Sequence, residues 1–132
     1  MFTGTYSARI DNSGRVYLPA PFRAVLQDVS SSLVIVRSPA WPALEVWTED
    51  RLKTIEDNLH PPDARRVLRY LAAQAVALDL DKRGRFVFHR RLRKAAGLRD
   101  EVLFIGVEDI IRIWDPDTYE KHLVELASDR AG

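Results

Sequence analysis

The chain carries two copies of one small unit, and this constrains its fold more than any other feature. Asp11-Asn12-Ser13-Gly14-Arg15 recurs as Asp81-Lys82-Arg83-Gly84-Arg85, an offset of 70 (81 − 11). The same offset carries Tyr6, Ala8 and Ile10 onto Val76, Leu78 and Leu80. It carries Val16 and Leu18 onto Phe86 and Phe88, Phe22-Arg23 onto Leu92-Arg93, and Leu33-Val34-Ile35 onto Leu103-Phe104-Ile105. Further on the offset falls to 67 (114 − 47), so Leu44, Val46 and Trp47 align with Ile111, Ile113 and Trp114. The slip fits a longer loop in the first copy, around Ser38-Pro39-Ala40-Trp41-Pro42. In a chain of 132 residues, neither copy is long enough to bury its own strands. The halves are therefore expected to interlock in one β-rich core.

Each copy reads alike. Residues 5–10 alternate, with Tyr6, Ala8 and Ile10 on one face, the period-2 pattern of a half-buried strand. Asp-x-x-Gly then signals a turn: Asp accepts from backbone amides ahead of it, and Gly tolerates positive φ. Val16 and Leu18 resume the strand pattern. Pro21 suits the first turn of a short helix over 21–27, and its counterpart should end near Gly97 as a C-cap. Residues 33–36, 102–107, 44–47 and 110–114 read as further strands. Thr48-Glu49-Asp50 and Asp115-Pro116-Asp117 open a helix in each copy. Leu52, Ile55 and Leu59 stripe the first helix; Tyr119, Leu123 and Leu126 stripe the second. Between the copies, His60-Pro61-Pro62 breaks the chain. Asp63 is then expected to cap a linking helix with Val67, Leu68, Leu71 and Ala72 on one side.

The remaining features exclude several classes. With no cysteine, disulfides and thiolate chemistry are out, and a reducing compartment is the natural reading. No window is long and apolar enough for a transmembrane helix, and the N-terminus does not read as a signal peptide. His60, His89 and His122 lack metal-ligand spacing, so no metal or cofactor is expected. Nucleotide and hydrolase motifs are missing. Two aspartates at matching positions, Asp11 and Asp81, invite comparison with an aspartic protease dyad. The basic neighbours Lys82, Arg83 and Arg85 would lower an Asp pKa and spoil the shared proton that chemistry needs, so no enzyme is expected.

Charge is the informative property. The net charge is +1, but eight basic residues fall between positions 82 and 99 with no acid among them: Lys82, Arg83, Arg85, Arg90, Arg91, Arg93, Lys94 and Arg99. Positions 100–129 hold nine acids against Arg112 and Lys121. Such a block serves as a solvated face, a subunit contact or a footprint for a polyanion. Asp11, Gly14, Asp81 and Gly84 are explained by turn geometry. Arg15 and Arg85 are not, and a guanidinium there suits phosphate or the guanine edge. Arg90 and Arg91 suit phosphates. Arg23 and Arg93 are equally consistent with DNA contact and with an ion pair to Asp11 or Asp81.

Met1-Phe2-Thr3-Gly4, the Asp11-x-x-Gly14-Arg15-x-x-x-Pro19-Ala20-x-Phe22-Arg23 run, Asp79-x-Asp81-Lys82-Arg83-Gly84-Arg85, Leu92-Arg93-Lys94-Ala95-Ala96-Gly97-Leu98 and Ile113-Trp114-Asp115 together resemble the MraZ family. The resemblance implies an α+β fold with a mainly β core: two tandem AbrB-like (SpoVT-AbrB) repeats forming a pseudo-symmetric swapped-hairpin β-barrel with flanking helices. The implied layout is repeat 1 over 5–50, connecting helices over 51–75, repeat 2 over 76–120, and a C-terminal helix and tail over 121–132. It implies a cytoplasmic, nucleoid-associated regulator of a division and cell-wall gene cluster, with double-stranded DNA, at promoter direct repeats, as its partner. It also implies a homo-oligomeric ring on the octamer or dodecamer scale, and neither a membrane nor a small-molecule substrate. The DNA-contact set is Arg15, Arg85, Lys82, Arg83, Arg90, Arg91, Asn12 and Ser13. The chain departs from the family pattern at His89-Arg90, where Pro-Ala is usual. The alternative is an AbrB-type protein-interaction or antitoxin-like module without sequence-specific DNA binding.

Overall fold

The computed structural model describes residues 1–27 and 33–131. The fold is α+β. Its strands are β1 (Thr5–Arg9), β2 (Arg15–Tyr17), β3 (Leu33–Arg37), β4 (Leu44–Thr48), β5 (Val76–Leu78), β6 (Arg85–Val87), β7 (Glu101–Val107) and β8 (Ile110–Trp114). The helices are α1 (Ala20–Gln27), α2 (Glu49–Asn58), α3 (Pro61–Gln74), α4 (Arg90–Ala95) and α5 (Pro116–Ala131).

Six strands form an antiparallel sheet in the order β1-β7-β8-β4-β3-β5, and β2 and β6 form a separate two-stranded ribbon. The expected barrel is met only as far as this sheet. β1 and β5 stand at its two edges, and no ladder joins them among the described residues. Four ladders cross between the halves, while β3–β4 and β7–β8 are hairpins within one half. β1 lies on β7, β5 on β3, β4 on β8 and β2 on β6. Two of these ladders centre on residues that share the sequence offsets: Val16 faces Phe86, and Glu45 faces Arg112.

Register corrects one expected alignment. Ile35 faces Val46 and Phe104 faces Ile113. Val46 and Ile113 are counterparts, so the counterpart of Ile35 is Phe104, an offset of 69 (104 − 35). The expected match of Ile35 to Ile105 would turn the strand over, because side chains alternate faces. Burial agrees, since Ile35 and Phe104 both lie in the main core at 2% and 0% exposure.

That core draws on both halves: Phe2, Val16, Phe22 and Leu44 from one, Leu78, Phe86, Leu92 and Ile113 from the other. A smaller cluster holds Val36, Trp47, Ile55 and Ile110, with Val67 and Tyr70 packed on it. The N-terminal segment adds to the sheet. The Phe2 amide donates to the Glu108 carbonyl, and the Gly106 amide to the Gly4 carbonyl.

Caps explain the helix starts. The Thr48 hydroxyl accepts from the Arg51 amide at 3.2 Å, and Asp115 Oδ2 accepts from the Thr118 amide at 3.2 Å. The two caps are 67 apart, as are the two amides. α3 starts at Pro61 rather than after Asp63, whose amide already donates to the His60 carbonyl. Two prolines fit there because a first helical turn needs no amide donors. On α3, Val67 and Leu68 are half-buried and Ala72 is exposed. The Leu71 side chain and Gly132, at the end of the expected tail, lie outside the described residues. On α2, Ile55 is buried and Leu59 exposed. On α5, Tyr119 packs against Trp114 while Leu123 and Leu126 stay exposed. No helix of the described residues is long and apolar enough to cross a membrane.

Candidate nucleic-acid interface

The two turns are built alike from their own chemistry. Asp11 Oδ1 accepts from the Ser13 and Arg15 amides, each at 2.9 Å. Asp81 Oδ1 accepts from the Arg83 and Arg85 amides, also each at 2.9 Å. Gly14 and Gly84 follow at φ of 81° and 82°, the left-handed region that a Cβ disfavours. The amide of Arg15 holds the Asp11 carboxyl below its ordinary pKa, helped by the Ser13 hydroxyl. The amide of Arg85 does the same for Asp81. Each carboxylate is thus occupied by its own turn, an arrangement unlike the shared proton of a protease dyad.

The turns feed β2 and β6, whose ribbon is the centre of the site. Val16 and Phe86 face the core at 1% and 3% exposure. The alternation sends Arg15, Tyr17, Arg85 and Val87 to the outer face. Arg15 lies opposite Val87 and Tyr17 opposite Arg85. The two arginines differ. Arg15 is exposed, and its guanidinium donates to the Ser13 hydroxyl at 2.9 Å. Arg85 is half-buried, pairs with Asp81 Oδ2 at 2.9 Å, and lies over the Tyr17 ring at 5.9 Å. Both arginines therefore also brace their turns, a role that turn geometry alone did not predict.

The other expected residues divide. Asn12 and Ser13 are exposed on the first turn, and Lys82 and Arg83 on the second. Arg23 of α1 reaches across to this second turn and donates to the Arg83 carbonyl at 2.9 Å. A cleft there is lined by Arg23, Lys82 and Arg83 with Ala24, Leu26 and Leu80. Arg93 donates to the Arg99 carbonyl at 3.1 Å. Neither Arg23 nor Arg93 makes the ion pair with Asp11 or Asp81 that was one of their two readings. Arg90 and Arg91 are exposed on α4, and Arg91 lines a different, smaller cavity with Arg37 and Gln74. His89 stands where the first copy has Pro19. Its φ is −63°, the value a proline ring would impose, and its ring nitrogen accepts the Arg91 amide at 3.3 Å.

Sequence reasoning missed Tyr17 and Val87, which are 50% and 58% exposed on the outer face. The signal was an apolar residue at the outward position of each strand, hidden inside the runs Val16-Tyr17-Leu18 and Phe86-Val87-Phe88. It also missed Arg37, a strand-end residue that only the tertiary fold brings to Arg91. Trp47 and Trp114 are buried and belong to the interior. Among the described residues, no group of three or more His, Asp or Glu is placed to hold a metal ion.

Comparison with known proteins gives one consistent result. A family model described as "MraZ protein, putative antitoxin-like" matches the chain twice, over residues 1–70 and 71–131. A protein of Treponema denticola named Transcriptional regulator MraZ is 35% identical over 133 residues, covering 96% of this chain and 90% of its own length. Its namesake in Gluconobacter oxydans is 40% identical over 126 residues, covering 89% of this chain and 77% of its own. That of Corynebacterium urealyticum is 35% identical over 136 residues, covering 99% and 92%.

Proposed function

The chain belongs to the MraZ family, and from that premise we propose that it is a DNA-binding transcriptional regulator. The carrying observation is the outer face of the β2–β6 ribbon, which puts Arg15 and Arg85 on one side with the turn bearing Lys82 and Arg83 at one end and the turn bearing Asn12 and Ser13 at the other. A two-stranded ribbon fits the major groove of B-DNA, and an arginine there pairs with guanine O6 and N7. In this reading Arg15 and Arg85 read bases, and Asn12 and Ser13 approach from the first turn. Lys82, Arg83, Arg90 and Arg91 hold phosphates, which fix position rather than sequence.

The finer reading has three parts. The fold is two AbrB-like repeats in swapped-hairpin arrangement, a reading supported by the cross-half pairings and the double family match. The target is a set of short direct repeats in the promoter of its own operon, whose transcription it represses. The active species is a homo-oligomeric ring. Exposed Leu123, Val124 and Leu126 on α5, and opposed basic and acidic segments, support head-to-tail contacts.

A gel shift on the DNA directly upstream of the gene tests this, with light scattering on the same sample. We expect a mass above the monomer and an affinity that falls steeply with salt, because several protomers each release counterions. Affinity unchanged between about 50 and 200 mM salt would contradict phosphate-dominated binding. Absence of any shift would favour the protein-interaction reading.

A further inference from the structure

The outer face of the β2–β6 ribbon has an apolar component that base-reading arginines do not need. Tyr17 is 50% exposed and Val87 58%. Each lies directly across the ribbon from an arginine, Val87 from Arg15 and Tyr17 from Arg85. Polar residues at these outward positions would be as compatible with the ribbon, since the inward Val16 and Phe86 already supply the core. Tyr17 and Val87 each have a distinct neighbour. The Arg85 guanidinium lies over the Tyr17 ring. Val87 stands beside Gly14, where a Cβ would approach its Cγ1 to 3.8 Å. With strand spacing of about 5 Å and a two-residue repeat of about 7 Å, the four outer side chains form a patch that enters a groove about 12 Å wide.

We propose that Tyr17 and Val87 are specificity-determining residues that contact thymine methyl groups in the major groove while Arg15 and Arg85 take neighbouring bases. This rests on the DNA-binding reading above. The thymine C5-methyl is the one apolar feature of the major-groove edge, and only apolar side chains gain by covering it. Charge selects DNA over a protein partner. Arg15 and Arg85 belong to the patch, Lys82 and Arg83 stand exposed on the turn before Arg85, and the nearby carboxylates, Asp11 and Asp81, are committed to their own turns. Val87 presents branched methyl groups, and Tyr17 presents a ring edge.

The experiment uses the full-length protein and duplex DNA from directly upstream of its gene, prepared once with thymine and once with deoxyuridine throughout. Base pairing is the same in both, and only the methyl groups differ. We expect the uracil duplex to bind about fourfold more weakly for each methyl group contacted, the effect of leaving one such group unburied. Val87→Ala and Tyr17→Ser should bind the thymine duplex more weakly and discriminate less between the duplexes. Both positions are exposed, so melting temperature and assembly mass should stay near wild type. Equal binding of the two duplexes by the wild type overturns the proposal and leaves the DNA-binding reading standing. Full discrimination retained by both variants overturns it as well. A Val87→Ala protein that loses its assembly marks the face as a contact with a second copy, which also overturns it. Failure of the wild type to bind either duplex overturns both readings.

Discussion

Arg15 and Arg85 follow the same turn and start the same kind of strand, yet their side chains are committed differently. Arg85 is tied to Asp81 and lies over Tyr17, while among the described residues the Arg15 guanidinium donates only to the Ser13 hydroxyl. On the proposed reading, the freer guanidinium would meet DNA without first giving up a carboxylate. Arg15→Ala should therefore weaken operator binding by about 1–3 kcal/mol per base contact and leave melting unchanged. Arg85→Ala should weaken binding too, and also lower the melting temperature slightly, because the turn loses its ion pair with Asp81. Gel shifts beside thermal melts separate the two, and wild-type operator affinity in Arg15→Ala would reject the assignment. At this scale the sequence was legible where chemistry is local. Asp-x-x-Gly predicts its turn because every partner lies within four residues. For Arg23 the sequence offered DNA contact or an ion pair with Asp11 or Asp81, whereas the side chain donates to the Arg83 carbonyl sixty residues away.

At the scale of elements, the N-terminal segment shows what holds the β7 end of the sheet. Gly106 has room for no side chain. A Cβ there would lie 2.5 Å from the Phe2 carbonyl carbon and 2.6 Å from the Thr3 nitrogen. Backbone cannot yield as a flexible side chain does, so Gly106→Ala should lift residues 1–4 off β7. Phe2, 4% exposed and edge-on to Phe22 at 5.5 Å, would leave the core. Exposing a buried Phe costs about 1.5–3 kcal/mol. The variant should melt as early as a chain lacking residues 1–4, and a wild-type melting curve would refute the clash. Strands and caps were legible because alternation and N-cap residues are short-range signals. The counterpart of β3 in β7 was not. Nothing in the sequence marks where the one-residue change of offset falls, and only cross-strand register reveals it. Nor did Asp63 mark the start of α3, since two prolines occupied the first turn ahead of it.

At the scale of the whole molecule, the halves meet across an ion pair that ties each to the other. Glu45 and Arg112 occupy equivalent positions 67 apart and face each other across β4 and β8. Glu45 is 4% exposed. Its Oε2 accepts from Arg112 at 3.1 Å and its Oε1 from the Trp47 indole at 2.9 Å. If one half paired with a second copy of itself through the same ladder, Glu45 would face Glu45, or Arg112 would face Arg112. Removing Arg112 would already leave the buried Glu45 carboxylate without its countercharge, and like charges would add repulsion. Residues 44–47 read as a strand, but the opposite charge at the counterpart of Glu45 gains meaning only once the two strands are known to be neighbours. Fragments 1–74 and 75–132, made separately, should therefore stay unfolded or weakly associated. Mixed in equal amounts, they should recover the strand signal in circular dichroism and a cooperative melt. Reversing both charges, Glu45→Arg with Arg112→Glu, should preserve that pairing, whereas Glu45→Arg alone should abolish it. A stable, folded homodimer of the first fragment would show that the ion pair does not select the partner.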